Sequence, residues 1–289
     1  MAPPGSIIVP VYNDPAGIAT TLDSILTNTA SDVEIIVVDN NSTDETPSVI
    51  ANYAATHEQV VSTTERTVQS SYAARNTGIG HASGDIICFL DADVTVTEGW
   101  FETASVRLKT GVVHYLAPHV SIPAPTNPNL ASRYNRTTGF PIEQFIARHH
   151  YAPTACLFVT QALIDDVGRF DERLVSGGDL EFGNRVARAG YELVFEPAIT
   201  VAHPPRTSFH ALVRRNLRIG RGLCQLQRYY PSRYGHVGIP PRPDRIRLDT
   251  YDASINHAVF TALTIVMTGI RGVGYYTACA RLLQSRLLS

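Results

Sequence analysis

Two carboxylates, one residue apart, close the stretch Asp85–Asp93, which reads Asp-Ile-Ile-Cys-Phe-Leu-Asp-Ala-Asp. Ile86–Leu90 is an unbroken apolar run, short enough for a strand buried on both faces. Asp91 and Asp93 follow it directly. On an extended chain such residues point the same way, about 7 Å apart, and a turn beyond the strand brings them closer. The carboxyl edge of a parallel sheet is where α/β proteins place ligands. Hard oxygen ligands of this kind suit Mg²⁺ or Mn²⁺, usually shared with a nucleotide's phosphates. A polar turn after a buried strand has the same sequence, so the elements around it must decide.

Those elements alternate. Ser6–Val11 predicts a strand whose end is interrupted by Pro10, and Tyr12–Pro15 a turn. Ile18, Leu22, Ile25 and Leu26 carry helical spacing through Ala16–Leu26. Val33–Val38 is a second apolar strand ending in Asp39, and Ser42 or Thr43 is placed to cap the helix after it. Gln59–Thr63 predicts a third strand, Ser71–His81 a helix, and Asp85–Leu90 the central strand. This order argues for an α/β fold, a mostly parallel sheet with helices on both faces and with Asp39, Asp91 and Asp93 along one edge. Further on, helices are expected at Thr97–Lys109 and Leu130–His150 (broken at Gly139 and Pro141), then up to Val167 and at Leu180–Ala189. Strands are expected at Val112–Pro118, Thr154–Thr160 and Glu192–Glu196, with Ile199–Ala202 strand-like and Ser121–Asn129 a loop.

The net charge of −2 over 289 residues conceals an asymmetry. Residues 1–205 hold 11 basic against 23 acidic side chains, and residues 206–247 hold ten Arg against Asp244 alone. An acidic body with a basic tail suggests a metal-dependent site and attachment to something anionic. Cys88, Cys156, Cys224 and Cys279 form no Cys-x-x-Cys pair and read as reduced, buried thiols of a cytosolic protein. The opening residues lack a charged segment of the signal-peptide type.

Four ordered motifs carry a family resemblance: Ile7–Asn13, Ile36–Asp44, Ala73–Gly78 and Phe89–Asp93. The match continues through Gly168–Glu172 and Ser176–Phe182. Over roughly residues 5–205 the chain resembles the inverting family 2 glycosyltransferases of GT-A fold. The resemblance implies a catalytic domain over 1–205, with a nucleotide-binding half at about 5–95 and an acceptor half at about 96–205.

It also implies roles. Pro10, Tyr12, Asn13, Asp39, Asn41, Arg75 and Asp91 would surround the nucleotide of a nucleotide-sugar donor. Tyr12 would pack on the base, and Asp39 would accept from its edge, which suits the N–H of uracil and hence a UDP-sugar. Arg75 would meet base or phosphate. Asp91 would hold the ribose or a metal-bound water. Asp93 would bind Mg²⁺ or Mn²⁺, with His203 completing the metal site or touching the diphosphate. Asp179 would be the general base that deprotonates the acceptor hydroxyl. Each has a plainer alternative: Tyr12 closing the sheet edge, Arg75 as a surface arginine in a local ion pair, Asp179 as a helix N-cap, His203 in an exposed loop. The family commonly has Glu-Asp where this chain has Gly178-Asp179, which leaves open what supports the Asp. Glu181 is a weaker candidate base, and His149-His150 read as acceptor-side or surface groups, since neighbours on a helix do not face one site.

From Thr207 to Tyr230 an apolar stripe at Phe209, Leu212, Val213, Leu217, Ile219, Leu223 and Leu226 is flanked by arginines. Basic amphipathic helices of this type lie on anionic membranes, and the same pattern suits a helix packed on the catalytic domain. The acidic body argues against a nucleic-acid partner. Gln225–Tyr229 matches the Gln-x-x-Arg-Trp motif of processive synthases only in part and lacks the Trp, so one sugar per encounter is expected. Ala258–Ile270 is apolar for 13 residues before Arg271, about 20 Å of helix against a bilayer core of about 30 Å. Residues 206–289 are therefore expected to form a helical, peripheral membrane attachment at the cytoplasmic face, or a single C-terminal span. A glycan or lipid-linked acceptor would explain the tail. Two other classes stay open: a nucleotide-sugar sensor or scaffold without catalysis, and a sugar nucleotidyltransferase, which would open with a Gly-rich loop after its first strand.

Overall fold

The apolar runs of the first ninety residues become buried parallel strands. The computed structural model describes residues 4–241 and 255–287. In it β1 (Ser6–Val11), β2 (Glu34–Asp39), β3 (Val60–Thr64) and β4 (Ile86–Leu90) alternate with α1 (Pro15–Asn28), α2 (Thr46–Thr56) and α3 (Ser71–His81). Then come α4 (Trp100–Leu108), β5 (Tyr115–Ser121), α5 (Leu130–Thr138), α6 (Ile142–His149), β6 (Cys156–Thr160), α7 (Gln161–Val167), α8 (Gly178–Arg188) and β7 (Leu193–Ala202). The chain continues as α9 (Phe209–Tyr229), α10 (Pro231–Tyr234) and α11 (His257–Leu287).

The strands form one seven-stranded sheet in the order β3-β2-β1-β4-β6-β5-β7. The two pairings made by β6 are antiparallel and the other four are parallel. This is the expected GT-A-type, mostly parallel sheet. Because β2 and β3 lie on one side of β1 and β4 on the other, right-handed crossovers put α1 and α2 on one face and α3 on the opposite one. Both faces are thus covered, which is why β1 and β4 are apolar and buried throughout. Pro10 is tolerated in β1 because pairing with β4 stops at Ile8, leaving an edge where no N–H is needed.

Local expectations shift at several ends. Ser42 and Thr43 do not cap α2, which starts at Thr46 behind Glu45 with no side-chain cap bond. They are spent instead on the neighbouring loop at Asn13. α4 starts at Trp100 behind Gly99, whose left-handed φ of 73° ends the extended approach. The two strand-like pieces at 192–196 and 199–202 are one strand, β7. Its partners jump from Pro118↔Glu196 to His119↔Thr200, so Pro197–Ile199 bulge out of the ladder.

The chain divides into two units. One comprises residues 1–121, 142–173 and 178–204 and holds the sheet. The other comprises 122–141, 174–177 and 205–289.

In the second unit α9 and α11 run parallel. Asn216 meets Arg271 and Cys224 meets Cys279, both pairs 55 residues apart in sequence, a constant offset that only parallel helices in register give. Gly220 and Gly274 let the backbones touch: a Cβ on Gly220 would run into the Arg271 carbonyl, and one on Gly274 into that of Leu217. Arg271 does not end the apolar helix as its charge suggested, because its Nη2 donates to Asn216 Oδ1 (3.1 Å) and the helix continues to Leu287. On the side away from α9, Val259, Ile265, Val266, Val273 and Tyr276 are exposed. α11 is long and apolar enough over His257–Leu282 to cross a membrane. Arg214, Arg218, Arg221 and Arg228 form an exposed stripe on α9. The basic stretch at 242–247, with Arg242, Arg245 and Arg247, lies outside the described residues. All four cysteines are buried free thiols.

Candidate active site

Three strand ends build the site, all within the unit that holds the sheet. β1, β2 and β4 are parallel and release their chains at one edge. After β1 and β2 the two loops lock together through asparagine. Asn13 N–H donates to Ser42 Oγ (2.9 Å), and Asn13 Oδ1 accepts from Thr43 N–H (2.8 Å). Asn13 and Asn41 have φ of 49° and 62°, a left-handed backbone that asparagine adopts more readily than most residues. Asp39 is buried at the tip of β2 and accepts from Ser42 N–H (3.1 Å). Its neighbour Asn40 is buried too, and its Oδ1 has no hydrogen-bond partner. Tyr12 stands 47% exposed beside them, free of the core packing that would make it a mere edge plug.

Arg75 is not a surface arginine. It is 3% exposed inside α3. Its Nη2 meets Asp91 Oδ1 at 2.6 Å, and Nη1 donates to the Ser71 carbonyl (3.2 Å). Nε is buried without a partner. The arginine thus orients Asp91 from behind.

His203 joins by a route invisible in local sequence. β7 is three strands away from β4 in the sheet. The segment after β4 crosses that gap along the sheet edge and pairs with the end of β7: Thr95 and Ala202 exchange both backbone bonds at 2.9 Å. Thr21 of α1 pins the same segment by donating to the Val94 carbonyl (2.8 Å). His203 follows Ala202 just past the end of β7 and is 3% exposed, so it is no exposed loop histidine. One ligand atom each from Asp91, Asp93 and His203 lies within 4.8 Å of the others.

The donor set fits a divalent cation on its own chemistry. His203 Nδ1 is 2.9 Å from the Pro204 carbonyl, which can only accept, so Nδ1 carries the proton. Nε2 then turns its lone pair toward Asp93 Oδ1, 3.5 Å away. Two acceptors face each other there, an arrangement that needs a cation or a proton between them. Two carboxylates and one imidazole suit Mn²⁺ and are acceptable to Mg²⁺.

Asp179 lies in the first turn of α8, one residue inside it, rather than at the cap position. The helix N-terminus favours its negative charge. Its Oδ1 accepts from Leu180 N–H (3.0 Å) and faces the Tyr72 hydroxyl at 3.4 Å. Glu181 turns inward and is committed to an ion pair with Arg185 (2.9 Å). Tyr72 and Arg75 share α3, and the guanidinium lies 5.8 Å from the Tyr72 ring centre. A continuous set of contacts therefore runs Asp179–Tyr72–Arg75–Asp91. Sequence reasoning missed Tyr72; its only signal was its place three residues before Arg75. His149 and His150 do not reach this site. Their carbonyls accept from Asn184, and His150 lines a separate cavity of about 490 Å³ with Ile146, Asn184, Arg188 and Tyr191, toward the far end of α8.

A mostly parallel sheet with an Asp-Asp-His group at its carboxyl edge defines an α/β protein of GT-A type. The chain belongs to the glycosyl transferase family 2: that family's model matches residues 6–163, and the model of glycosyl transferase family group 2 matches residues 86–283. It is 34% identical over 223 residues to glycosyltransferase AglE of Haloferax volcanii, covering 76% of this chain and 73% of that protein. It is 27% identical over 246 residues to the pre-mycofactocin glycosyltransferase of Mycobacterium tuberculosis, covering 79% of this chain but only 48% of the relative. Among solved structures, the mannosyltransferase PcManGT of Pyrobaculum calidifontis, in complex with GDP-Man and Mn²⁺, shares the fold at a TM-score of 0.61 and 22% identity, covering 100% of this chain and 80% of that one. The protein is a glycosyltransferase.

Proposed function

We propose that this glycosyltransferase moves one sugar, with inversion, from a nucleotide-sugar to an acceptor hydroxyl in a metal-dependent reaction. The observation that carries this reading is the convergence of Asp91, Asp93 and the Nε2 of His203 at the edge that also holds Asp39 and Tyr12. In PcManGT a nucleotide-sugar and Mn²⁺ are bound on the same fold. Residues 5–95 would take the nucleotide and 96–205 the acceptor side.

Tyr12 would cover one face of the base. Asp39, buried and already fixed by Ser42, would accept from the base edge; a carboxylate there favours uracil, hence a UDP-sugar. Asp91, Asp93 and His203 would hold Mg²⁺ or Mn²⁺, which when bound neutralises charge on the departing diphosphate. Asp179 takes the proton of the acceptor hydroxyl. The freed oxygen electron pair forms the bond to the anomeric carbon as the bond to the diphosphate oxygen breaks, and that electron pair leaves with the diphosphate. A single displacement by one carboxylate base inverts the anomeric centre; the contrast is the paired carboxylates of retaining glycosidases.

The second unit supports a membrane-bound or lipid-linked acceptor. The exposed apolar residues Val259, Ile265, Val266, Val273 and Tyr276 of α11 and a stripe of four exposed arginines on α9 match an acyl region and anionic headgroups. On this reading the protein works at the cytoplasmic membrane face, held there peripherally or by a single C-terminal span. Flotation with anionic and neutral vesicles tests it; equal absence from both lipid fractions would remove the membrane from this reading.

The donor site is tested by thermal stabilisation with UDP, GDP, dTDP and CMP, each with Mn²⁺ and with EDTA. A ligand that binds only the native state raises the melting temperature. One nucleotide raising it only with metal is the expected result. No shift with any nucleotide would overturn the donor assignment.

A further inference from the structure

Tyr72 is buried in α3, and its hydroxyl faces the carboxylate assigned as base. It is 6% exposed. Its ring stacks on Phe170 with centres 5.8 Å apart and planes at 27°. Phe170 is fixed in turn by Asn76, whose side chain accepts from Phe170 N–H (3.0 Å) and donates to its carbonyl (2.9 Å). The Arg75 guanidinium lies 5.8 Å from the Tyr72 ring centre. The remaining side of the ring lies against Gly178, where a Cβ would come within 2.7–2.8 Å of three ring carbons. A side chain at 178 and the Tyr72 ring exclude each other.

This confinement brings the hydroxyl to the Asp179 carboxylate. It stands 3.4 Å from Asp179 Oδ1, the same oxygen that accepts from Leu180 N–H. The spacing is longer than the roughly 2.7–2.8 Å of an optimal O–H···O bond, and hydrogen bonds of catalytic groups commonly tighten once substrates are bound. A second phenol, Tyr115 of β5, lies near but is otherwise engaged: its hydroxyl accepts from Ala152 N–H (2.8 Å) and donates to the Ala152 carbonyl (3.4 Å). Glu181 is likewise spent on Arg185. Tyr72 aims its hydroxyl at Asp179.

We propose that Tyr72 is a positioning residue for the acceptor-activating carboxylate, holding Asp179 in one rotamer through its hydroxyl, and that Gly178 is a glycine to admit its ring. This rests on the reading of Asp179 as base. The Tyr–Gly pair does the orienting that a second acid before Asp179 would otherwise be suited to do.

The test is a mutant cycle on the full chain, read as kcat, KM for donor and acceptor, and melting temperature. Tyr72→Phe keeps the ring and removes only the hydroxyl. It is expected to lower kcat about tenfold with both KM values and the melting temperature unchanged. In an Asp179→Glu background, where the carboxylate has already moved by a methylene, Tyr72→Phe is expected to lower kcat less than about twofold, because residues acting as a unit are non-additive. Gly178→Ala, which displaces the ring, is expected to reproduce the kcat loss. Equal losses in both backgrounds, or a wild-type kcat for Tyr72→Phe, would overturn the positioning role while leaving the base assignment intact. Wild-type turnover of Asp179→Asn would overturn the base assignment itself.

Discussion

Arg75 Nη2 lies 2.6 Å from Asp91 Oδ1, with the arginine side chain 4% exposed and the aspartate 35%. The pair is lopsided: the cation is buried and the anion half open to solvent. Removing one partner of a buried pair leaves an uncompensated charge. Asp91→Ala should therefore destabilise the fold by about 2–4 kcal/mol, while Arg75→Met, which leaves a carboxylate that water can reach, should do so by less. Denaturant unfolding of both variants without ligand decides it; a larger loss for Arg75→Met would contradict the burial asymmetry.

His203 and Asp93 face each other across 3.5 Å as two acceptors. Asp93→Asn and His203→Gln should each weaken Mn²⁺-dependent nucleotide binding at least about tenfold. Neither should change nucleotide binding in EDTA. Calorimetric titration measures both arms, and unchanged binding with Mn²⁺ would remove these residues from the metal site.

Gly220 and Gly269 sit on the two parallel helices in opposite circumstances. A Cβ on Gly220 meets the Arg271 carbonyl, whereas one on Gly269 meets nothing within 4 Å. Gly220→Val should force α9 and α11 apart and destabilise by about 1–3 kcal/mol or more. Gly269→Ala should stabilise by roughly 0.5–1 kcal/mol through helix propensity alone. Thermal melts of the pair test the packing, and the same loss for both would contradict it.

Glu65 holds the loop before α3 by accepting from Thr67 N–H (2.6 Å), Val68 N–H (3.0 Å) and the Thr77 hydroxyl (2.6 Å). The Thr77 bond foremost lowers its carboxyl pKa below the ordinary 4.5. A depressed folded-state pKa stabilises above the unfolded value and loses that contribution as pH falls through the folded one. Glu65→Gln should therefore lower the melting temperature at pH 7 by a degree or two at most, roughly, since the group is mostly solvent-screened. The difference should shrink only below about pH 4.5. A difference that instead grew on acidification would have the wrong sign for this mechanism.

The sheet and its acid-tipped strands were legible in the sequence because burial on both faces demands continuous apolar runs, and chain order with the crossover rule then sets the topology. Helix α3 was legible to the residue, Ser71–His81. The cap of α2 was not, because Ser42 and Thr43 have partners 29 and 30 residues away that no local pattern records. The same holds for α11: Arg271 reads as the end of an apolar segment until Asn216 is known to receive it.

By itself the sequence determined the residue types available for chemistry, the carboxyl edge that carries Asp39, Asp91 and Asp93, and the family. These follow from strand periodicity and from motifs contiguous in the chain. Only the tertiary structure decided which groups meet. His203 reaches Asp93 through the Thr95–Ala202 bridge, Arg75 is buried against Asp91, and Tyr72 meets Asp179 across 107 residues. Such contacts depend on how a long connection is routed over the sheet edge and how rings pack against a glycine. Local propensity does not encode these outcomes, and the packed fold does.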